Sequence, residues 1–229
     1  MGLVHRTNEK EDLMANTAGT HMAGGTVGSV IHGAARYDFL VWVMTLGRER
    51  RFRERILRLA HLQEGESVLD VGCGTGSLAI IAKQQVGPTG VVCGIDASPE
   101  MITRANKKAR KAGVEVTFKN GAAQALPFSD AQFDVVLSTL MLHHIPRDAR
   151  QQCAHEIRRV LKPSGRVLAV DFAEAAQRGG FLAHFHRHDH VDLPDIVALL
   201  SDTGLHIAQN GAVGRQNLQF VVATAASSA

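Results

Sequence analysis

Short apolar segments recur along this chain, and the regular distance between them restricts the fold more than any other feature of the sequence. They occupy residues 67–71, 91–95, 114–118, 133–137 and 166–172, and segments long enough for a helix separate most of them. Strands that are joined by crossover helices run parallel within one sheet. The alternation therefore predicts an α/β fold built on a parallel sheet.

The regions on either side of these segments complete the predicted architecture. Residues 193–201 read as a helix and residues 206–209 and 218–223 as two further strands, so the sheet would have seven strands with an antiparallel pair among the last. Residues 34–62 read as two helices with Gly47 between them, and residues 1–33 show no sustained period. We expect a mobile segment at 1–33, a helical lid at 34–62 and a core at 63–229, with lid and core forming one domain.

Composition excludes several classes of protein. The net charge of +3, from 25 basic and 22 acidic residues, favours an anionic partner only weakly. Cys73, Cys93 and Cys153 lie too far apart for a zinc motif or a disulfide framework. The longest apolar run, residues 39–46, is much shorter than the ~20 residues that span a bilayer, and the acidic start does not resemble a secretory signal. We expect a cytoplasmic protein without a transmembrane segment.

A glycine-rich turn follows the first predicted strand. Residues 68–76 read VLDVGCGTG, and glycines allow the backbone amides of such a turn to approach a ligand closely. The turn alone also fits a tight connection without a ligand. About 20 residues later the second strand ends at Asp96, where an acidic side chain can bind both ribose hydroxyls. The two features together indicate an adenosine-containing cofactor and do not by themselves exclude NAD.

The helix after the second strand has clear boundaries. Ser98 can cap it, Pro99 suits its first turn and Gly113 can end it. Its predicted apolar stripe consists of Met101, Ile102, Ala105, Ala109 and Ala112. The cations near its end either complement the helix dipole or bind nucleic acid; they are Lys107, Lys108, Arg110 and Lys111.

Histidines occur in two places. His143 and His144 follow the fourth strand, and either one is a candidate general base or a side chain that packs beside the cofactor. Four further histidines alternate along a Gly- and His-rich connection, namely His184, His186, His188 and His190. These four suit zinc or nickel, or they belong to a polar loop at the substrate entrance. We predict no metal site.

Five motifs in order resemble those of class I S-adenosylmethionine (SAM)-dependent methyltransferases. They occupy residues 68–76, 94–101, 120–128, 133–146 and 161–171. The likeness covers roughly residues 35–172 and is strongest to the ubiquinone/menaquinone C-methyltransferase-like group of small-molecule methyltransferases. It implies a Rossmann-like, mostly parallel seven-stranded sheet with helices on both faces, and SAM as cofactor with S-adenosylhomocysteine as product.

The resemblance also assigns roles to individual residues. The methionine part of SAM would lie among Asp70, Gly72, Cys73, Gly74 and Gly76, and Asp96 would bind the ribose. Ala97 and Met101 would flank the adenine, beside Gly121, Ala122 and Ala123, and Thr139 would border the cofactor. The family often has an acidic residue where this chain has Ala122, so one hydrogen bond to the adenine amino group is expected to be missing. Tyr37 would cover SAM or pack as an ordinary helix aromatic.

These implications predict a methyltransferase for a small, apolar or aromatic acceptor, with His143, His144 and Tyr37 as candidate catalytic residues. Tyr37 and residues 39–46 would form a lid over SAM and one wall of the acceptor pocket. Alternatives are an RNA or protein methyltransferase using the basic clusters at 48–58 and 107–111, and a SAM-binding regulator without turnover. A nicotinamide-dependent oxidoreductase is a more distant alternative. We do not expect a nucleic-acid partner.

Overall fold

A computed structural model describes residues 48–173, 191–214 and 217–225, and it contains one seven-stranded sheet. The strands are β1 (Ser67–Val71), β2 (Val91–Asp96), β3 (Thr117–Asn120), β4 (Phe133–Thr139), β5 (Leu161–Phe172), β6 (Leu205–Ala212) and β7 (Leu218–Ala225). The helices are α1 (Glu49–Ala60), α2 (Ser77–Val86), α3 (Pro99–Ala112), α4 (Arg147–Val160) and α5 (Leu193–Ser201). A short 3-10 helix, Leu142–His144, lies between β4 and α4.

The strand order, β3-β2-β1-β4-β5-β7-β6, confirms the Rossmann-like, mostly parallel sheet predicted from the sequence. The first five strands are parallel, whereas β7 runs antiparallel to both β5 and β6. The direction of winding reverses between β1 and β4, where open α/β sheets bind ligands beyond the carboxyl ends of their strands. Val71 pairs with Ile95 on one side and Ser138 on the other, so β1, β2 and β4 end at one place.

Alternation along the strands produces a hydrophobic core on each face of the sheet. Leu69 and Val71 of β1 belong to one core cluster together with residues of α4 and α5. Val68, which precedes Leu69 and lies on the opposite face, belongs to the other cluster with residues of α1 and α2. Helices therefore cover both faces, as predicted, and their packing fixes the central strands whose carboxyl ends meet at one place.

Helix α3 has the predicted boundaries. The Ser98 hydroxyl accepts a bond from the Met101 amide at 3.4 Å, Pro99 occupies the first turn, and Gly113 ends the helix with φ of 66°. Met101, Ala105 and Ala109 are buried, but Ala112 is exposed, so the stripe ends one turn earlier than predicted. The chain already turns into the left-handed C-cap at that point.

Two strands begin several residues away from the predicted position. We predicted a strand at 114–118, but β3 begins at Thr117 because its pairing with β2 starts only at Cys93 and runs to Asp96. Strand β5 begins at Leu161 rather than at residue 166, with an irregular register between Phe133 and Val135 of β4. The second predicted N-terminal helix is α1, and the first lies outside the described residues. Among those residues no helix is long and apolar enough to cross a membrane.

Candidate active site

The glycine-rich turn after β1 is held against the end of β2. The amides of Gly72 and Cys73 both donate to the Ile95 carbonyl, at 2.8 and 3.0 Å. Gly72, Gly74 and Gly76 have φ of 71°, 52° and 76°, in the left-handed region that favours glycine. The backbone conformation of the turn is therefore itself a reason for glycine at these three positions.

Close approach is a second reason for glycine at two of these positions. A Cβ on Gly72 would lie 2.2 Å from Cγ of Met141, which follows β4. A Cβ on Gly76 would lie 2.6 Å from the Phe118 ring and 2.9 Å from Cβ of Ala105. Gly72 thus lets the β4 loop approach the turn, and Gly76 lets α2 pack against α3 and β3.

Asp96 links the turn to the start of α3. One carboxylate oxygen accepts the Gly74 amide at 2.8 Å and the other accepts the Ser98 amide at 2.9 Å. Burial raises the pKa of Asp96, while these two amide bonds oppose the shift. The carboxylate is half-buried at the end of β2 and has further acceptor capacity for hydroxyl groups.

The segment after β3 forms the side of the site next to Asp96. The Gly121 amide donates to the Asp96 carbonyl at 3.1 Å, and Ala122 is buried. Arg159 holds the following loop from α4, because its guanidinium donates to the carbonyls of Leu126 and Phe128 at 2.9 and 2.8 Å. Ala97 and Ala123 are half-buried and Met101 is buried beneath.

Three buried polar groups in or beside this site have oxygens without a hydrogen-bond partner in the described part of the chain. They are Oδ2 of Asp70, Oγ of Ser138 and Oγ1 of Thr139. Burial raises the pKa of Asp70 to about 7, against the lowering effect of Arg53 on α1. Buried polar atoms are normally paired, so these three oxygens, near the carboxyl ends of β1 and β4, are candidate partners for the polar atoms of a ligand.

His143 is fixed by a carboxylate from the neighbouring strand. Its Nδ1 lies 2.6 Å from Oδ1 of Asp171, near the end of β5, and its amide donates to Oδ2 of Asp171 at 3.3 Å. Asp171 is 1% exposed and the His143 side chain 20% exposed. Arg150 secures the turn that carries His143 by donating from Nε to the carbonyls of Leu142 and Ile145, at 3.1 and 2.9 Å. The centroid of the His144 ring lies 4.0 Å from that of His143, and the two rings are tilted by 44°.

Other predicted site residues cannot be placed. Tyr37 and the apolar run at 39–46 lie outside the described residues, as do His184, His186, His188 and His190. Among residues that the structure describes, no group of three or more His, Cys, Asp or Glu side chains could hold a metal ion. Cys73 is buried, and burial raises the pKa of its thiol well above the ordinary value, so it is not a reactive thiolate.

Comparisons with known proteins match this geometry. A family model described as a methyltransferase domain matches residues 68–165, which include the glycine-rich turn, Asp96 and His143. A crystal structure of a SAM-dependent methyltransferase from Aquifex aeolicus superposes with a TM-score of 0.70 at 22% identity, over 85% of this chain and all of that one. Residues 68–165 thus match a methyltransferase domain, and the fold is the one seen in a SAM-dependent methyltransferase.

Two relatives of this chain are named demethylmenaquinone methyltransferase. The protein of Lactobacillus johnsonii is 38% identical over 136 residues, which are 58% of this chain and 55% of that protein. The protein of Thermus thermophilus is 35% identical over 139 residues, which are 61% of this chain and 62% of that protein. The chain thus aligns with between 55% and 62% of the length of these two relatives.

The residues at the sheet edge fit SAM. The left-handed turn has no side chain at Gly72, Gly74 or Gly76, the Asp96 carboxylate matches a pair of ribose hydroxyls, and the unpaired Asp70 oxygen matches an ammonium donor. Ala122 is buried at this place and offers no carboxylate to the adenine amino group. An adenine amino group would have to bond backbone or the buried Gln124 nearby.

Sequence reasoning missed three residues of this region. The resemblance gives no role to Asp171, which ends the motif at 161–171. A carboxylate at the end of the strand beside β4 is nevertheless a sequence feature that could have indicated a site residue. Arg53 and Lys108 were grouped with basic clusters. In the structure Arg53 is buried near Asp70, and Lys108 donates to the hydroxyls of Thr75 and Ser77, at 3.0 and 2.6 Å. No period or motif marks such contacts between helices.

The buried Asp70 predicts a pH dependence of stability. Because its pKa rises from 3.8 to about 7 on folding, the folded protein binds more protons than the unfolded chain between these values. The free energy of unfolding should therefore fall as pH rises through that window. Asp70→Asn removes this contribution, so between about pH 5 and about pH 8 its Tm should fall by a few degrees less than that of the wild type. Calorimetry without SAM tests this; parallel curves for the two proteins would contradict it.

Proposed function

We propose that this enzyme transfers the methyl group of SAM to a small, apolar or aromatic acceptor that carries an acidic hydroxyl, such as a phenol or hydroquinone. The contact between His143 and Asp171 carries the proposal. Methyl transfer to a neutral amine or a thioether needs no strong base, whereas a hydroxyl acceptor gains from losing its proton. The names of the relatives, which specify demethylmenaquinone, support the small apolar aromatic part of this proposal, and the hydroxyl rests on His143 and Asp171.

His143 would act as the base through its second ring nitrogen. When Nδ1–H donates to Asp171, Nε2 carries the lone pair that can accept a proton, and the carboxylate stabilises the imidazolium that results. Asp171 is a positioning residue, because it is buried and reaches the acceptor only through His143. The ring of His144 lies beside that of His143 and is the less suitable candidate for the base, because Asp171 orients His143.

The remaining residues would bind and orient. Bound SAM supplies an activated methyl group, so the protein need only align the acceptor, exclude water and remove one proton. Asp96 and the turn at 72–76 would hold the nucleoside and methionine ends. Thr139 and Ser138, whose hydroxyls are buried at the end of β4, would border the reacting centre.

A matched pair of acceptors tests the proposal. We expect S-adenosylhomocysteine to form with a naphthohydroquinone and not with its dimethyl ether, because the ether keeps the rings but has no hydroxyl proton to lose. Product release is measured by mass spectrometry, and the methylated atom by NMR. Equal turnover of both acceptors would reject the base. S-adenosylhomocysteine formation only with RNA or a protein substrate would support that alternative, and SAM binding without turnover of any acceptor would favour the regulator.

A further inference from the structure

A basic groove lies where α1, α2 and α3 meet, apart from His143 and Asp171. Its volume is about 470 Å³. It is lined by Glu49, Arg50, Arg53, Ser77, Ile80, Ile81, Gln84, Lys108, Lys111 and Ala112. The lining thus contains four cationic side chains and one carboxylate, an excess of positive charge in a concave site.

Helix dipoles do not account for all of these cations. Lys111 lies in the last turn of α3, where positive charge is favourable. Arg50 and Arg53 lie in the N-terminal half of α1, where the dipole disfavours a cation. Arg50 pairs with Glu54 at 2.8 Å, and Lys108 is directed to hydroxyl groups on the start of α2. The helix dipole therefore accounts for Lys111 but not for Arg50 or Arg53, although all of these cations line one groove.

Arg53 is the strongest sign of a ligand. Its side chain is 9% exposed, and its Nε has no hydrogen-bond partner in the described residues; the nearest carboxylate of an ion pair, that of Glu49, lies 3.5 Å away. Asp70 also interacts with Arg53 electrostatically from the side of the sheet. A buried guanidinium is ordinarily satisfied by a planar or tetrahedral anion that accepts several bonds.

The start of α2 adds to the same potential. This helix begins beside the groove at Ser77, and its N-cap, Gly76, provides no side-chain acceptor for the first amides. The Ala79 amide bonds the Asp70 carboxylate, so this helix start contributes through the positive end of its dipole, which favours an anion. Arginine forks, lysine point charges and a helix start together suit the oxygens of a phosphate group better than a single carboxylate.

We propose that this groove, lined by Arg50, Arg53, Lys108 and Lys111, is a second binding site, for a phosphate-bearing anion. The ligand has more than one negative charge, because the groove has an excess of three cations over its carboxylate and room for a group larger than one phosphate. Lys108 contacts Thr75 and Ser77 beside the glycine-rich turn, so the site adjoins the cofactor site without using its predicted ligands.

The experiment titrates inorganic pyrophosphate into the full-length protein by calorimetry at low salt. Saturating S-adenosylhomocysteine is present, because the turn of the cofactor site could itself bind an anion. The test variant is Arg50→Gln with Lys111→Gln. The control is Arg51→Gln with Lys107→Gln, which removes the same charge from exposed positions on the same two helices outside the groove. We expect the Kd to rise roughly tenfold or more in the test variant and at most about threefold in the control.

A second measurement identifies the source of the phosphate. Sedimentation with phosphatidylcholine vesicles, with and without phosphatidic acid, shows whether lipid headgroups reach the groove. A lipid is supported if the wild type binds the vesicles that contain phosphatidic acid and the test variant does not. Pyrophosphate binding without vesicle binding supports a free phosphate compound. Equal effects of the two double variants, or loss of pyrophosphate binding when S-adenosylhomocysteine is added, would overturn the proposal. So would the absence of binding to both probes.

Discussion

His143→Ala is expected to lower kcat by about 10²–10⁴-fold while the Kd for SAM stays near that of the wild type. The reason is that His143 is the ring positioned by Asp171, at 2.6 Å, whereas the cofactor would be held by the turn and by Asp96. Steady-state kinetics with a verified hydroxyl acceptor gives kcat, and calorimetry gives the Kd.

His144→Ala is the matched control, because it removes an adjacent imidazole without disturbing the bond to Asp171.

Asp171→Asn tests the positioning of His143 separately from its proton transfer. Both Asp171 oxygens accept backbone amides, from His143 at 3.3 Å and Phe172 at 2.8 Å, so an amide NH₂ would oppose one of them and turn the ring. Its kcat should fall by about tenfold or more, with a shifted pH profile. Near-wild-type turnover in both histidine variants would eliminate the base and leave alignment alone.

Asp96→Ala is expected to weaken SAM binding by about 100-fold, since hydrogen bonds to a charged group contribute about 1.5–3 kcal/mol each. The carboxylate would lose its ribose partners, and the Gly74 and Ser98 amides would lose acceptors at 2.8 and 2.9 Å. The turn would then be less ordered before SAM arrives. Calorimetric titration of the folded variant measures the effect.

Asp148→Ala removes the same charge from an exposed position in the first turn of α4 and should leave SAM binding unchanged. Asp96→Asn should lie between the two, because an amide can accept only one of the two backbone bonds. An Asp96→Ala protein with normal thermal unfolding and normal SAM affinity would show that the cofactor is not placed at the end of β2.

The sequence predicted those features that depend on local patterns. The strand β1, the helix α5 and the caps of α3 follow from apolar alternation, Pro99 and Gly113, and they lie where expected. The glycines at 72–76 and Asp96 were found because a turn at a strand end has few possible compositions. Contacts that join distant segments were not predictable in this way.

Asp171 and His143 illustrate the limit. They are 28 residues apart and meet only because β5 lies beside β4, which fixes the register of Thr139 against Val170. In the sequence Arg53 is one of several arginines in a basic run. In the structure it is the one arginine of α1 that is buried, because α1 packs on the sheet. The start of β3 was misjudged for a related reason: apolar residues predict burial, but the extent of β2 decides which of them pair.

The position of β7 determines when the sheet can be completed. β6 precedes β7 in the chain but lies outside it in the sheet, so β6 gains a strand partner only after β7 has been synthesised. Until then β5 has one open edge, and this is the edge on which Asp171 later pairs with Gln219. The pairing of β5 with β7 joins segments that are far apart in the chain, so it cannot begin before β7 has been synthesised. Until then Asp171, the carboxylate that orients His143, lacks the neighbouring strand that covers it in the finished sheet.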